Sequence, residues 1–275
     1  MQNQTPPLII SFGLADPVGA FGTYADFAVY AAHGCQGLAV STAVLVADTA
    51  RIEDQQEIEA DWLVDQARVL LEDMPIAAIK VGALISIDQA SAIAEICSDY
   101  PDVPMILDPF ASSLPDSGLG DDDLLMAIRQ ILVPQATVLQ LSQVELARMA
   151  ETWRDGGDDM QAQDVAELTA MGCEYVLVNC TAIQGKGVDA TLCNTLYDGE
   201  GVVATFNWPQ LAGPFVGAGS TTSAALAALL AKGQEPEEAI LNAQQYTAGA
   251  LAHAQRFGMG KLVPNKFFRV SMTAP

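Results

Sequence analysis

Short apolar runs that stop at a glycine or an acid alternate along this chain with longer stretches of helical spacing. That alternation constrains the fold more than any other feature. LIISFG (8–13), GLAVSTAVLVA (37–47), AAIKVGAL (77–84), VPMILD (103–108), ATVLQLS (136–142) and EYVLVNC (174–180) read as buried strands. Helical patterns lie between and after them: a helix through Tyr30, then 57–73, 87–98, 121–132, a helix starting over 143–150, 160–171, 217–233 and 236–256. In 57–73 the apolar side is predicted to carry Ile58, Trp62, Val69 and Leu70. Residues 190–197 and 201–206 flank Asp198-Gly199, a hairpin signal. Repeated strand–helix units predict an α/β fold with a mostly parallel central sheet and helices on both faces. The most insertion-like stretch, ETWRDGGDD (151–159), is too short to divide domains, so one domain over 1–275 is expected. Ligands in such sheets sit beyond the carboxyl ends of the strands, which makes Asp16, Gly82 and Asp108 site candidates.

Charge narrows the function. Acidic residues number 34 and basic residues 12, a net charge of −22. Nucleic acid and anionic membrane surfaces require clustered Lys and Arg and are disfavoured. An anionic ligand would have to be held by backbone N–H groups and a metal ion. The cysteines (Cys35, Cys97, Cys173, Cys180, Cys193) are odd in number with no C-x-x-C spacing, which fits scattered buried thiols in a reducing compartment. MQNQTPPLIISF has no basic start and only a short apolar run, so a cytoplasmic location is expected.

Three stretches can carry chemistry. GAGSTTSAALAALLA opens a small-residue helix after Gly217 and Gly219, whose backbone can turn N–H groups toward an anion; the plainer reading is a tight helix start packed on the sheet. FGLADPVGAFGTYAD sets Asp16, Gly19, Gly22 and Asp26 after a strand, but Gly13, Gly19 and Gly22 do not have the G-x-G-x-x-G spacing of a dinucleotide site. Its plainer reading is a turn with Asp16 capping the helix. Asp108 and Glu145 follow neighbouring strands and could share Mg²⁺, against the alternative of solvated surface acids. His33 and His253 share no motif and read as structural.

In order along the chain, these stretches resemble the hydroxymethylpyrimidine/phosphomethylpyrimidine kinases of the ribokinase-like superfamily. FGLADPVGAFGTYAD is similar to AGSDPSGGAG-x-QAD, KVGAL to KIGML, MILDPF to VVLDPV, LQLSQVELARM to ITPNLPEAAAL, and VGAGSTTSAALAALLA to HGTGCTLSAALAA. The resemblance implies ATP and Mg²⁺ as cofactors, a pyrimidine alcohol as substrate in thiamine biosynthesis, and pairing as a homodimer. It places Gly13, Asp26 and Gly82 on the substrate side, Gly217, Ala218 and Gly219 over the transferred phosphoryl group, and Asp108 and Glu145 near the Mg-nucleotide. Lys80 matches the lysine of the strand motif in a structural role. Departures from the pattern are as informative. Ser220 stands where these kinases carry Cys, and the wider superfamily Asp, as base. Ala47 and Ala83 replace the substrate-contacting Gln and Met; Ser142 replaces an Asn, and Asn179 a Lys, on the nucleotide side; Phe21 replaces a small residue. A non-catalytic pyrimidine- or nucleotide-binding relative and a pyridoxal-type kinase stand as alternatives.

Overall fold

The computed structural model describes residues 5–110, 122–150, 160–184 and 191–269. Strand β1 (Leu8–Ala15) leads through α1 (Gly22–Ala32) to β2 (Gln36–Ala47), β3 (Ile52–Glu57) and α2 (Ala60–Asp73). Next come β4 (Ala78–Val81), α3 (Ile87–Ser98), β5 (Met105–Leu107), α4 (Asp122–Ile131), β6 (Val138–Ser142), α5 (Gln143–Met149) and α6 (Met160–Ala170). The chain continues as β7 (Tyr175–Gln184), β8 (Thr191–Asp198), β9 (Gly201–Pro209), α7 (Ala218–Leu230) and α8 (Pro236–Ala252). The strands form one sheet in the order β3-β2-β1-β4-β5-β6-β7-β8-β9. Pairing is parallel from β2 to β7 and antiparallel at the two margins, β2–β3 and β7–β8–β9.

Adjacent strand residues supply opposite faces, as the pleat requires. Ile10, Ile79, Leu107, Leu139 and Val176 pack into the layer of α2 to α6. Ile9, Ala78, Ile106, Val138 and Leu177 face α1, α7 and α8. This double coverage is why the strands read as continuous apolar runs. Chain order reverses across β1, with β2 on one side and β4 on the other. The carboxyl ends of β1 and β4 therefore open a crevice.

Two expectations fail. The segment IEDQQE is a strand, β3, where none is predicted, because a solvated edge strand needs no apolar alternation; of its residues only Ile52 is partly covered. On α2, Leu63 and Ala67 face the core, while Trp62 and Val69 are 63% and 68% exposed. Val64, Leu70 and Leu71 pack against the same core, so Leu70 faces inward as expected, and Ile58 precedes the helix, with Ile58 N bonded to Thr42 O. The hairpin forms as expected: Asp198 Oδ1 accepts from Glu200 N and Gly201 N at the β8–β9 turn. Cys35, Cys97, Cys173 and Cys193 are buried. His33 and His253 bond backbone carbonyls at the ends of α1 and α8; His33 meets the Tyr246 ring edge-on, and His253 stacks on Phe268. The insertion expected at 151–159 lies outside the described residues.

Candidate active site

A cavity of about 220 Å³ lies beyond the carboxyl ends of the central strands. Two glycines lie on its floor. Gly13 and Gly82 end β1 and β4 side by side, with Gly82 N bonded to Phe12 O at 2.8 Å. A Cβ on either would point at the other's Cα, at 3.9 and 3.7 Å.

One wall is the start of α7. Its N-cap, Gly217, adopts φ +84°, and a Cβ there would fall 1.8 Å from Ala20 O. Only glycine permits that left-handed turn against a backbone carbonyl. The first bond into the helix runs from Thr221 N to Gly217 O. The amides of Ala218, Gly219 and Ser220 therefore precede the intrahelical ladder and open toward the cavity, the arrangement that binds anions. The facing loop is tied down by Asp16, whose carboxylate accepts from Val18 N, Ala20 N and Phe21 N. Asp16 thus holds the turn rather than capping α1, whose N-cap is Phe21.

Asp26, on α1, reaches the cavity from within the core and is 1% exposed. Lys80, from β4, donates to its Oδ1 at 2.5 Å. Burial pushes the Asp26 carboxyl up, and the adjacent Lys80 charge pulls it back down. Lys80 also donates to Ser220 Oγ at 3.3 Å, as does Gly22 N at 3.3 Å. With two donors aimed at its oxygen, the Ser220 hydroxyl keeps its own proton available to the cavity. In this arrangement the side chain is a donor, not a base.

Asp108, just past β5, accepts from Ser223 Oγ at 2.7 Å. Burial raises its pKa to about 6; Lys80 and Ser223 oppose the rise, and Glu145 and Asp26 add to it. Ser142 and Glu145 form a capping box on α5, so Glu145 Oε2 is engaged by Ser142 N at 2.7 Å. Glu145 Oε1 is buried and has no hydrogen-bond partner among the described residues, and neither has Gln140 Oε1. Two crowded acids with an unpaired carboxylate oxygen fit a divalent cation. Among the described residues, no group of three or more His, Cys, Asp or Glu gathers to hold one, so the protein's share of such a site is this pair of acids.

The cavity thus brings together Gly13, Asp26, Gly82, Ala83, Asp108, Ser142, Glu145, Asn179 and the Gly217–Ser220 turn. Ala47 is not on its wall; it packs with Ile52 and Ile85 on the apolar cluster around Leu14 and Leu45. Ser142 is at the wall, but its hydroxyl serves the helix cap. Phe110, Gln140 and Trp208 also line the cavity; Phe110 and Gln140 fall inside MILDPF and LQLSQVELARM, yet the resemblance gives neither a role. Lys80 could have been given its role from the sequence, since a charge inside an apolar strand needs a partner.

The chain has relatives both in sequence and in fold. A hydroxymethylpyrimidine/phosphomethylpyrimidine kinase of Streptomyces coelicolor is 29% identical over 260 residues, covering 93% of each chain. The Salmonella typhimurium enzyme of that name is 28% identical over 247 residues, covering 90% of this chain and 91% of its own. In fold, Bacillus subtilis pyridoxal kinase in its ADP complex superposes with a TM-score of 0.84 at 21% identity, covering 97% of this chain and all of its own. The phosphomethylpyrimidine kinase of Clostridium difficile 630 gives 0.70 at 20% identity, covering 87% of this chain and 98% of its own. The model of the family described as phosphomethylpyrimidine kinase matches residues 16–265, most of the chain, and the chain belongs to that family.

Proposed function

We propose that this chain is a small-molecule kinase that transfers a phosphoryl group from Mg-ATP to the hydroxymethyl group of a pyrimidine, as in thiamine biosynthesis. The observation that carries the reading is the convergence of three parts on one cavity. These are the Gly217–Ser220 amides, the Asp108–Glu145 pair and the buried Asp26–Lys80 pair. Family membership and the names of the relatives support the same substrate class.

Asp108 and Glu145 Oε1 would hold Mg²⁺, which when bound neutralises charge on the phosphates of ATP. The helix amides supply the remaining anion stabilisation, because Asn179 stands on the nucleotide side without a charge. Ser220 orients the acceptor by donating its proton. Transfer depends mainly on position and charge, so a site without a strong base still turns over slowly. Calorimetric titration of Mg-ATP and of hydroxymethylpyrimidine, followed by a turnover assay, tests the reading. Binding of both with measurable transfer supports it; binding of neither rejects it.

A homodimer fits the exposed edge, where Val44 and Val46 of β2 are about half exposed beside β3. A sedimentation mass of twice 29.0 kDa is the expected result. Cytoplasmic placement fits the buried cysteines and the absence, among the described residues, of a helix long and apolar enough to cross a membrane.

A further inference from the structure

Lys266 lies one residue beyond the stretch matched by the family model and belongs to no motif of the cleft. It is 6% exposed, on the segment that follows α8. Its Nζ donates to Gly19 O at 2.8 Å and to Ala20 O at 3.3 Å, across 247 and 246 residues of chain. Ala20 O is the atom against which Gly217 is pressed. The same loop is held from its amide side by Asp16, through Ala20 N at 2.8 Å. One residue further, Gly22 N bonds Ser220 Oγ. The segment's own backbone is fixed nearby: Tyr246 Oη donates to Lys266 O, Leu262 O accepts from Val216 N, and Leu262 N donates to Pro214 O. Residues 214–216 lead directly into the anion-binding turn.

We propose that Lys266 is a positioning residue for phosphoryl transfer, pinning the Gly19 and Ala20 carbonyls so that the loop sets the Gly217–Ser220 turn and the Ser220 hydroxyl in register. The proposal rests on the kinase reading above for its effect on rate, but not for its effect on geometry. An ammonium is suited to the task because it donates to two carbonyls at once. Burial lowers the pKa of Lys266 to about 8, while Asp16 and Asp26 oppose the change. A buried cation in so acidic a chain is thus kept where three backbone segments meet.

The test uses the full chain with K266M, K266R and K266Q. In K266M, kcat should fall about 10–100-fold, the order of loss expected when reacting groups are misplaced by about 1 Å. KM for hydroxymethylpyrimidine should stay within about twofold. K266R should recover most of kcat. In the ligand-free protein, amide ¹H–¹⁵N shifts in K266M should move at Gly22, Gly217, Gly219 and Ser220. If K266M does not fold, K266R and K266Q carry the comparison, with Gln keeping a donor but losing the charge. Unchanged kcat with stationary amides would overturn the proposal. So would a joint fall of kcat, pyrimidine affinity and melting temperature that K266R does not relieve. If the native chain shows neither nucleotide binding nor turnover, the kinase reading fails, and the amide shifts alone decide the role of Lys266. Shifts at 217–220 then support it, and shifts confined to 246–266 reject it.

Discussion

Lys80 Nζ sits 2.5 Å from Asp26 Oδ1, in a pair sealed from solvent and drawn from positions 54 residues apart. Asp26 is the residue that the family resemblance places on the pyrimidine, yet one of its oxygens is already committed to the protein's own cation. A buried pair of this kind is costly to break from one side, because the survivor keeps an uncompensated charge. Asp26→Asn should therefore lower stability by about 3–5 kcal/mol in urea denaturation. The double change Asp26→Leu with Lys80→Met should lose less. Equal or greater stability of Asp26→Asn would show that the pair does not contribute as described.

Gly217 and Gly34 both have positive φ, +84° and +72°, but their surroundings differ. A Cβ at Gly217 meets Ala20 O at 1.8 Å, whereas one at Gly34 meets nothing within 4 Å. Gly34→Ala should cost only the left-handed strain, about 1 kcal/mol. Gly217→Ala should cost at least about 2 kcal/mol more and abolish Mg-ATP binding by calorimetry. Similar losses for the two variants would argue against the tight approach of Ala20.

Asp108 makes the site sensitive to pH. Its folded pKa, about 6, lies above the usual 3.8, so the folded state holds the proton more tightly than the unfolded one. The contribution of this group to stability is therefore most favourable below about pH 4 and is lost as pH rises through 6. The loss is on the order of 3 kcal/mol. Asp108→Asn should melt higher than the native chain at pH 8 and lose Mg²⁺ affinity. In the native chain, Mg²⁺ binding should weaken as pH falls through about 6. A lower melting temperature for Asp108→Asn at pH 8 would contradict the cost assigned to ionising this partly buried carboxyl.

Ser220→Asp should raise kcat, since a positioned general base contributes about 10²–10⁴-fold. Lys80, now 3.3 Å from Ser220 Oγ, would lie within reach of the new carboxylate and favour its ionised form. Turnover measured with Mg-ATP and hydroxymethylpyrimidine checks this. A fall in kcat would mean that the hydroxyl proton of Ser220 is itself required.

The sheet and most of the site were legible because both are written in local patterns. β1, β4, β5 and β6 each announce themselves as an apolar run that stops at a cavity residue. The Gly217 turn carries its own signature of glycines before a small-residue helix. β3 was silent because a solvent-facing edge strand has no buried side to produce a pattern. On α2 the expectation holds at Leu70, which packs against the core, and fails at Trp62 and Val69, because Trp62, Leu63, Val64, Ala67, Val69, Leu70 and Leu71 offer more than one apolar stripe at helical spacing. Ala47 matched a family position, yet a position in a motif does not say which way a strand faces after the register shift at Val46 and Ala47. Ser142 showed the opposite limit: its place at the cavity was legible, but its partnership with Glu145 depends on the start of α5. Lys266 could not be seen at all, because its partners are two carbonyls at the far end of the chain.

Helix α7 is buried along ten consecutive residues, Thr221 to Leu230, immediately behind the anion-binding turn. Its small side chains let it lie against the sheet with α1 and α8 around it, and only Thr222 of that stretch lines the cavity. Amides in such a segment can trade hydrogen for deuterium only when the molecule opens as a whole. The slowest-exchanging amides of the chain should then be those of residues 222–230, and their exchange should report the global unfolding free energy. The helix that would grip a phosphate would thereby also serve as the clock by which the lifetime of the whole fold is read.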